Sequence, residues 1–200
     1  MEKLPLAFYQ RLNVLTISKE LLGKLLVTQF NGRLTSGRIV ETEAYNGVID
    51  RASHAFGGRR TLRTEVMYSA GGLAYVYLCY GIHNLFNVVT NANGIPHAVL
   101  IRGVEPVAGV ELMVERMNKT AFDTTIGRGP GNVSKALGIL KQHTGYSLLG
   151  DDLFIADDRN ELQESQIISS PRIGVDYAGE DAKLHYRFHV KGNPFVSKSK

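Results

Sequence analysis

The chain has 200 residues, of which 44% are hydrophobic and 21% are charged, so it is long and apolar enough to form one domain with a core. Cys79, the single cysteine, excludes an intrachain disulfide and a four-cysteine zinc site, and it favours a reducing compartment. The net charge of +4 and the sequence pI of about 9.2 mildly favour a polyanion such as DNA or RNA as partner. We expect neither a signal peptide nor a membrane-spanning segment, because no apolar run is long enough.

The first predicted elements are a helix and a hairpin. Residues 6–23 predict a helical entry in which Ser18 is the N-cap and Gly23 ends the helix. Residues 24–30 are apolar and run into Asn31-Gly32, a strong signal for a hairpin turn.

The returning strand spans residues 38–45, Arg-Ile-Val-Glu-Thr-Glu-Ala-Tyr, which are rich in strand formers. Because side chains alternate along a strand, one face carries Ile39, Glu41, Glu43 and Tyr45. The opposite face is small and mostly apolar and suits a core: Val40, Thr42 and Ala44. Burial of two carboxylates about 6–7 Å apart would raise the pKa of one or both and create a general base. The alternative is a solvated face with two ordinary surface charges.

Residues 46–63 predict a loop rich in glycine and arginine, which contains His54. Its arginines, including Arg59 and Arg63, suit contacts with phosphate, and a solvated basic loop is the alternative. Taken alone, His54 is typical of a structural histidine. Residues 61–67 predict the start of a short helix.

A β-hairpin is predicted from strands at 73–80 and 85–90, joined by a turn at 81–84. Its tyrosines are compatible with a core if each hydroxyl finds a partner. Packing does not explain Tyr80, however, because it lies near the tip and tips face solvent. An exposed aromatic residue there is typical of a wedge that enters a base stack, or of a platform on which a base stacks.

Further along, residues 98–104 predict a strand in which Arg102 needs a carboxylate or a phosphate as partner. Residues 108–118 predict an amphipathic helix. After a tight loop at 127–131, residues 132–140 predict a second helix, whose inward face carries Val133, Ala136, Leu137 and Leu140.

The last sixty residues contain four short strand-like pieces, at 153–155, 167–168, 172–175 and 184–190. Neighbouring hairpins, without regular alternation of strand and helix, predict an α+β fold around a mostly antiparallel sheet. We expect a single domain over residues 1–200, with a frayed tail at 197–200. The histidines show no H-E-x-x-H pattern, and no phosphate-loop, dinucleotide or nucleophile-elbow motif is present, so we expect no metal site.

Several motifs occur in a specific order. They are the strand at 38–45, His54, Tyr-Val-Tyr-Leu-Cys-Tyr-Gly at 75–81, Asn87, Ala-Val-Leu-Ile-Arg at 98–102 with Glu105-Pro106, and Gly129-Pro130 before Lys-Ala-Leu-Gly-Ile at 135–139. In this order and spacing they resemble the alkyladenine (3-methyladenine) DNA glycosylase family, from about residue 8 to about residue 190. Each motif alone would be a weak signal.

The resemblance implies a catalytic residue and a base pocket. Glu43 matches the acid/base that activates water. Tyr45, His54 and Tyr77 match the walls of a pocket that holds a flipped base. Asn87 matches a residue that excludes normal guanine by clashing with its amino group.

The resemblance also implies contacts with DNA. Tyr80 matches the residue that fills the gap in the base stack, and Ile82 can act as an apolar part of the same wedge. Arg102 matches a residue near the pocket that contacts the DNA backbone. Asn132 departs from the family, in which a basic residue often follows Gly-Pro.

These matches imply a single domain with a curved antiparallel sheet, flanking helices and a protruding β-hairpin, which needs no metal and no cofactor. The implied activity is monofunctional removal of alkylated or deaminated purines from double-stranded DNA, approached from the minor-groove side by a monomer. A cytoplasmic location is expected, nucleoid-associated in a bacterium. Two alternatives are a non-catalytic nucleic-acid-binding module with tyrosine stacking platforms, and a metal-free enzyme that acts on a small substrate.

Overall fold

The computed structural model describes residues 1–198, which fold around one antiparallel sheet. Its strands are β1 (Glu2–Lys3), β2 (Leu25–Phe30), β3 (Arg33–Tyr45), β4 (Ala74–Cys79), β5 (His83–Thr90), β6 (His97–Ala108), β7 (Leu153–Asp157), β8 (Ile167–Ser170) and β9 (Arg187–Val190). The order across the sheet is β1-β7-β2-β3-β6-β5-β4, and β9 pairs with both β3 and β8. All these pairs are antiparallel, which confirms the predicted α+β class.

The α-helices of the described chain are short. They are α1 (Leu6–Tyr9), α2 (Val14–Glu20), α3 (Val110–Arg116) and α4 (Pro130–Leu137). Single 3₁₀ turns or short 3₁₀ segments cover 47–49, 56–58, 65–68, 124–126, 141–143, 164–166 and 176–183. The main core joins apolar residues of α2, α3 and α4 to those of the sheet. Within residues 1–198, every helix lacks the length and apolar character needed to cross a bilayer.

The N-cap of α2 is Asn13, whose side-chain Oδ1 accepts hydrogen bonds from the N–H groups of Leu15 and Thr16. The prediction that Ser18 caps this helix is therefore wrong. Ser18 lies buried inside α2, and its hydroxyl donates to the Thr42 hydroxyl at 3.0 Å, which ties the helix to β3.

The turn between β2 and β3 confirms the prediction from Asn31-Gly32. Asn31 has a φ of 53° and Gly32 a φ of 73°, and a type I′ turn requires both to be positive. The returning strand is longer than predicted, because β3 pairs with all of β2 and so begins at Arg33.

β3 is the central strand, with β6 along one edge and β2 followed by β9 along the other. Its pairing with β6 shifts register between Ile39 and Glu41, and again between Glu41 and Thr42. These irregularities break the simple alternation of side chains. Ile39 therefore lies in the main core together with Ala44, and its predicted place on the glutamate face is wrong.

β4 and β5 form the predicted hairpin, with a tighter turn than expected. The Ile82 N–H donates to the Cys79 carbonyl oxygen at 3.1 Å, and β5 begins directly afterwards at His83. Tyr80 has a φ of 50° and Gly81 a φ of 76°. Tyr80 is 90% exposed and Ile82 is 72% exposed, so the tip projects into solvent.

Three predictions for the C-terminal half need correction. α4 ends at Leu137 because Gly138 takes a φ of 71°, and Leu140 is exposed rather than inward. Residues 172–175 form no strand. The tail is not frayed at Ser197, whose N–H donates to Glu41, and the rest of that prediction falls partly on residues 199–200, outside the described chain.

Candidate active site

A narrow cavity lies where β3, β4, β5 and β6 meet the segments 47–58 and 176–183. Its free internal volume is about 30 Å³, within about 310 Å³ of empty space that includes its open mouth. Its lining residues are Tyr45, Ala52, Ser53, His54, Met67, Tyr75, Tyr77, Asn87, Ala98 and Tyr177. The structure thus brings together all four residues predicted to form a base pocket.

Glu43 lies directly behind Tyr45 and is fully buried. Its Oε2 accepts a hydrogen bond from the Tyr45 hydroxyl at 2.9 Å, and its Oε1 accepts one from the Ile173 N–H at 2.8 Å. The Arg102 Nη1 lies 3.4 Å from Oε1. These three donors orient the carboxylate, and its burial rules out the solvated strand face.

Tyr45 connects this carboxylate to the cavity. Burial, with the charge of Glu43 adding to it, raises the pKa of Tyr45 well above its ordinary value. The phenol therefore stays protonated and donates its hydrogen bond to Glu43.

Arg102 is 7% exposed and lies beneath both glutamates of β3. Its Nε donates to the Glu41 Oε1 at 3.1 Å, so the partner that the sequence left open is a pair of carboxylates. This burial does not support the predicted contact of Arg102 with the DNA backbone.

Glu41 is also fully buried, and it belongs to a cluster of opposite charges. Burial acts to raise its pKa, but the charge of Arg102, the Ser197 N–H and the charge of Arg187 together hold that pKa below its ordinary value. The prediction that burial raises a carboxyl pKa is therefore wrong for Glu41.

One wall of the cavity is an aromatic cluster centred on His54. Its Nδ1 lies 2.8 Å from the Tyr75 hydroxyl, and its ring meets the Tyr77 ring edge-on at 4.6 Å between centroids. Burial, with the charges of Arg63 and Arg59 adding to it, lowers the pKa of His54 to about 4. The imidazole is therefore neutral at neutral pH. Tyr75 was not predicted as a pocket residue, although its place two residues before Tyr77 puts both on one strand face.

The depressed pKa of His54 predicts a pH-dependent stability. The unfolded chain protonates His54 near pH 6.5 and the folded chain only near pH 4. Between these two values protonation favours the unfolded chain. The free energy of unfolding is therefore highest above about pH 6.5 and decreases as the pH falls toward 4. We expect His54→Gln to lose less stability than the wild type across this window. Urea unfolding at both ends of the window measures the difference, with the exposed His185→Gln as control. Equal losses in wild type and His54→Gln would contradict the prediction.

A buried ion pair holds the opposite wall. Arg172 donates to both carboxylate oxygens of Asp50, at 2.6 and 2.8 Å, and also to the Ala44 carbonyl oxygen. Its guanidinium lies 4.9 Å from the centre of the Tyr45 ring. The pair therefore joins β3, the 46–63 loop and the C-terminal segment behind Tyr45. Neither residue was predicted from the sequence, although an aspartate within a basic loop was an available signal.

Tyr177 lies at the mouth of the cavity and was not predicted either. It is 70% exposed, and its hydroxyl donates to the Ala52 carbonyl oxygen at 3.1 Å. This bond links the 176–183 segment to the loop across the mouth.

Asn87 is buried at the cavity floor. Its Nδ2 donates to the carbonyl oxygens of Tyr75 and Leu85, which fixes the orientation of the amide. Asn87 pairs with Tyr75 across β5 and β4.

Tyr80 and Ile82 do not line the cavity. They project from the tip of the hairpin whose β4 also carries Tyr77, about 10 Å away along the strand. The base of the tip is fixed against α4, because a Cβ at Gly131 would lie 2.9 Å from the His83 ring. The cavity wall and the exposed tip thus belong to one hairpin.

A larger groove of the described chain runs from the hairpin tip along α4. Its lining includes His83, Asn132, Lys135 and Arg116. Asn132 donates to the Thr125 and Arg128 carbonyl oxygens, which gives it a structural role at the start of α4. This groove lacks the tyrosine wall and the buried glutamate, so we place the candidate site at the smaller cavity.

Similar proteins identify the family of this chain. The model of the methylpurine-DNA glycosylase family matches residues 7–194. A protein of Clostridium acetobutylicum is 44% identical over 202 residues, covering 98% of this chain and 97% of its own. A protein of Desulfitobacterium hafniense is 43% identical, and the match covers 98% of this chain and 99% of its own. A protein of Bacillus cereus strain AH820 is 46% identical, and the match covers 97% of this chain and 98% of its own. All three are named, provisionally, as 3-methyladenine DNA glycosylases. The chain therefore belongs to the methylpurine-DNA glycosylase family, enzymes that hydrolyse N-glycosyl bonds in DNA.

Proposed function

We propose that this chain excises alkylated and deaminated purines, of the 3-methyladenine, 7-methylguanine, hypoxanthine and ethenoadenine class, from double-stranded DNA. The observation that carries the proposal is the fully buried Glu43, which is hydrogen-bonded to Tyr45, a residue that lines the aromatic cavity. A buried carboxylate behind the wall of an aromatic cavity suits catalysis better than it suits non-catalytic binding.

The cavity receives the damaged base after it has rotated out of the duplex. Tyr45, Tyr77 and His54 form its walls and stack against the base. The electron-rich tyrosine rings favour alkylated purines that carry a positive charge. A neutral base such as hypoxanthine lacks this attraction and depends more on shape and on hydrogen bonds.

Glu43 assists cleavage of the N-glycosidic bond. As the bond between the base nitrogen and C1′ breaks, positive charge develops on the sugar, and the carboxylate stabilises it. Water attacks C1′, and Glu43 accepts its proton, which leaves an abasic site. A cationic alkylated purine departs as the neutral base, whereas a neutral purine departs as an anion that takes up a proton from solvent. Arg102 serves this step by holding the carboxylate in place, in contrast to the backbone contact expected from the sequence.

Asn87 contributes selectivity. Its amide nitrogen is committed to two backbone carbonyls, so the side chain cannot swing away from an incoming base. A guanine amino group directed at this rigid floor would meet a steric obstacle, whereas a purine without that group would fit.

The hairpin tip supplies the wedge, which enters from the minor-groove side. Tyr80 adopts a left-handed conformation, with φ of 50°, that is unfavourable for a bulky side chain by about 1–2 kcal/mol. Such strain is typical of functional positions, where the fold holds a side chain in place for use. Ile82 adds an apolar contact on the other side of the turn.

We predict that Tyr80→Asn keeps the fold and weakens base flipping. Asparagine suits the first central position of a turn with two positive φ angles, so the thermal stability should be unchanged or higher. Loss of the aromatic plug should lower single-turnover excision about 10-fold to 100-fold, since a stacked base is worth about 1–3 kcal/mol. The fluorescence of 2-aminopurine beside the lesion reports flipping directly. A signal equal to that of the wild type, in a folded variant, would contradict the wedge role.

The proposed function is tested with duplex oligonucleotides that carry hypoxanthine, ethenoadenine or a methylated purine. We expect strand scission after alkaline cleavage of abasic sites, and excision in the presence of EDTA, because no metal or cofactor enters the scheme. Binding without abasic sites would favour the nucleic-acid-binding module. Activity that undamaged duplex DNA does not inhibit, even at low salt, would favour a small-substrate enzyme. The protein is expected to act as a monomer, and light scattering of its complex with DNA measures this.

A further inference from the structure

Glu41 lies two residues before Glu43 on β3, and neither carboxylate lines the cavity itself. We propose that Glu41 is a positioning residue for the excision step: it holds and neutralises Arg102, so that Glu43 keeps its capacity to accept a proton from water. This inference rests on the proposed function, and it assigns a task to a buried charge that the chemistry at C1′ does not otherwise use.

The geometry shows that Arg102 is shared unequally between the two carboxylates. Its Nε donates to the Glu41 Oε1 at 3.1 Å, while its Nη1 lies 3.4 Å from the Glu43 Oε1. Glu41 also accepts from the Arg187 Nε at 2.7 Å through the same oxygen. Its other oxygen accepts from the Ser197 N–H at 2.8 Å. Both oxygens of the Glu41 carboxylate thus accept hydrogen bonds, and Glu41 holds Arg102 through its Nε.

Gly103 packs closely between Glu41 and the C-terminal segment. A Cβ at Gly103 would lie 3.0 Å from the Glu41 Cβ and 2.8 Å from the Phe195 carbonyl oxygen. The C-terminal segment therefore seals the cluster, and the Arg187 Nη2 donates to the Ser197 carbonyl oxygen at 2.8 Å. The charges behind the cavity are buried, and burial strengthens charge–charge forces.

The balance of charge explains why Glu41 matters. Without its negative charge, Arg102 has Glu43 as its remaining carboxylate partner and is drawn toward it. A closer cation stabilises the ionised form of Glu43 and makes it a weaker base. The other titratable and charged groups that face the two glutamates are Tyr45, Tyr77, Arg172, Tyr177, Arg187 and His189.

The test compares Glu41→Gln with Glu41→Asp in single-turnover excision of ethenoadenine, from about pH 5 to about pH 8. In the profile of excision rate against pH, Glu41→Gln should lower the plateau rate about 10-fold. It should also displace the acid limb of that profile downward by about one pH unit, because a negative charge is lost beside Glu43. Glu41→Asp keeps that charge, so its acid limb should coincide with that of the wild type even if its rate falls.

Thermal unfolding in the same buffers separates this role from a purely structural one. If Glu41→Gln loses activity only in proportion to its folded fraction, with its acid limb unmoved, the inference is overturned. If this variant does not fold, Glu41→Gln combined with Arg187→Gln removes one charge of each sign and still leaves Arg102 with Glu43. A downward displacement is expected there too, because Arg102 is still drawn toward Glu43, and its absence overturns the inference. A wild type that excises no base overturns the proposed function itself.

Discussion

Glu43→Gln is expected to abolish excision and to leave binding to lesion-containing DNA intact. The amide cannot accept a proton from water, and it offers no negative charge to the sugar as the base departs. We expect the single-turnover rate to fall about 10³-fold or more, since these effects contribute to the same step. The variant should fold, because Gln keeps an oxygen that can accept from the Ile173 N–H, and the Tyr45 hydroxyl can reverse its role and accept.

The measurement pairs excision rates with fluorescence anisotropy on the same ethenoadenine duplex. Glu111→Gln, an exposed change on α3, is the matched control and should behave as the wild type in both assays. Near-normal excision by Glu43→Gln would remove the central element of the proposed function. Loss of DNA binding together with excision would instead point to a folding or docking role for this carboxylate.

Asp50→Ala should produce the largest loss of stability, about 3–5 kcal/mol, because it leaves the buried guanidinium of Arg172 without its carboxylate. Both side chains are almost completely buried, so water cannot replace the lost partner. The change should also impair excision, since Arg172 packs on the Tyr45 ring that forms the cavity wall.

Urea unfolding gives the change in the free energy of unfolding. Asp151→Asn removes one side of a solvent-exposed ion pair with Lys3 and should change stability little. Adding Arg172→Met to Asp50→Ala should recover most of the lost stability, because no unpaired charge then remains buried. An Asp50→Ala variant as stable as the Asp151→Asn control would show that this pair does not hold the pocket wall.

Local signals predicted the hairpins well. Asn31-Gly32 forms the expected turn because both residues tolerate positive φ angles. The tyrosine-rich hairpin formed where predicted, and its exposed Tyr80 was foreseen from the position near the tip. These features depend on neighbours a few residues apart, which the sequence displays directly.

Errors arose where contacts between distant segments decide the outcome. The alternation rule placed Ile39 beside Glu41, but two register shifts against β6 turn it into the core. Leu140 fits a helical periodicity, but the helix has already ended at a left-handed Gly138. The partners of a strand and the end of a helix depend on packing that periodicity does not describe.

By itself, the sequence determined the class of fold, the turns and the set of residues that the family resemblance marks around Glu43, because strand, turn and motif signals are local. The tertiary structure alone decided that both glutamates are buried, that Arg102 lies between them, and that Asp50 pairs with Arg172 from 122 residues away. Burial and charge pairing are properties of segments that meet only after folding, and here they set the chemistry of the site.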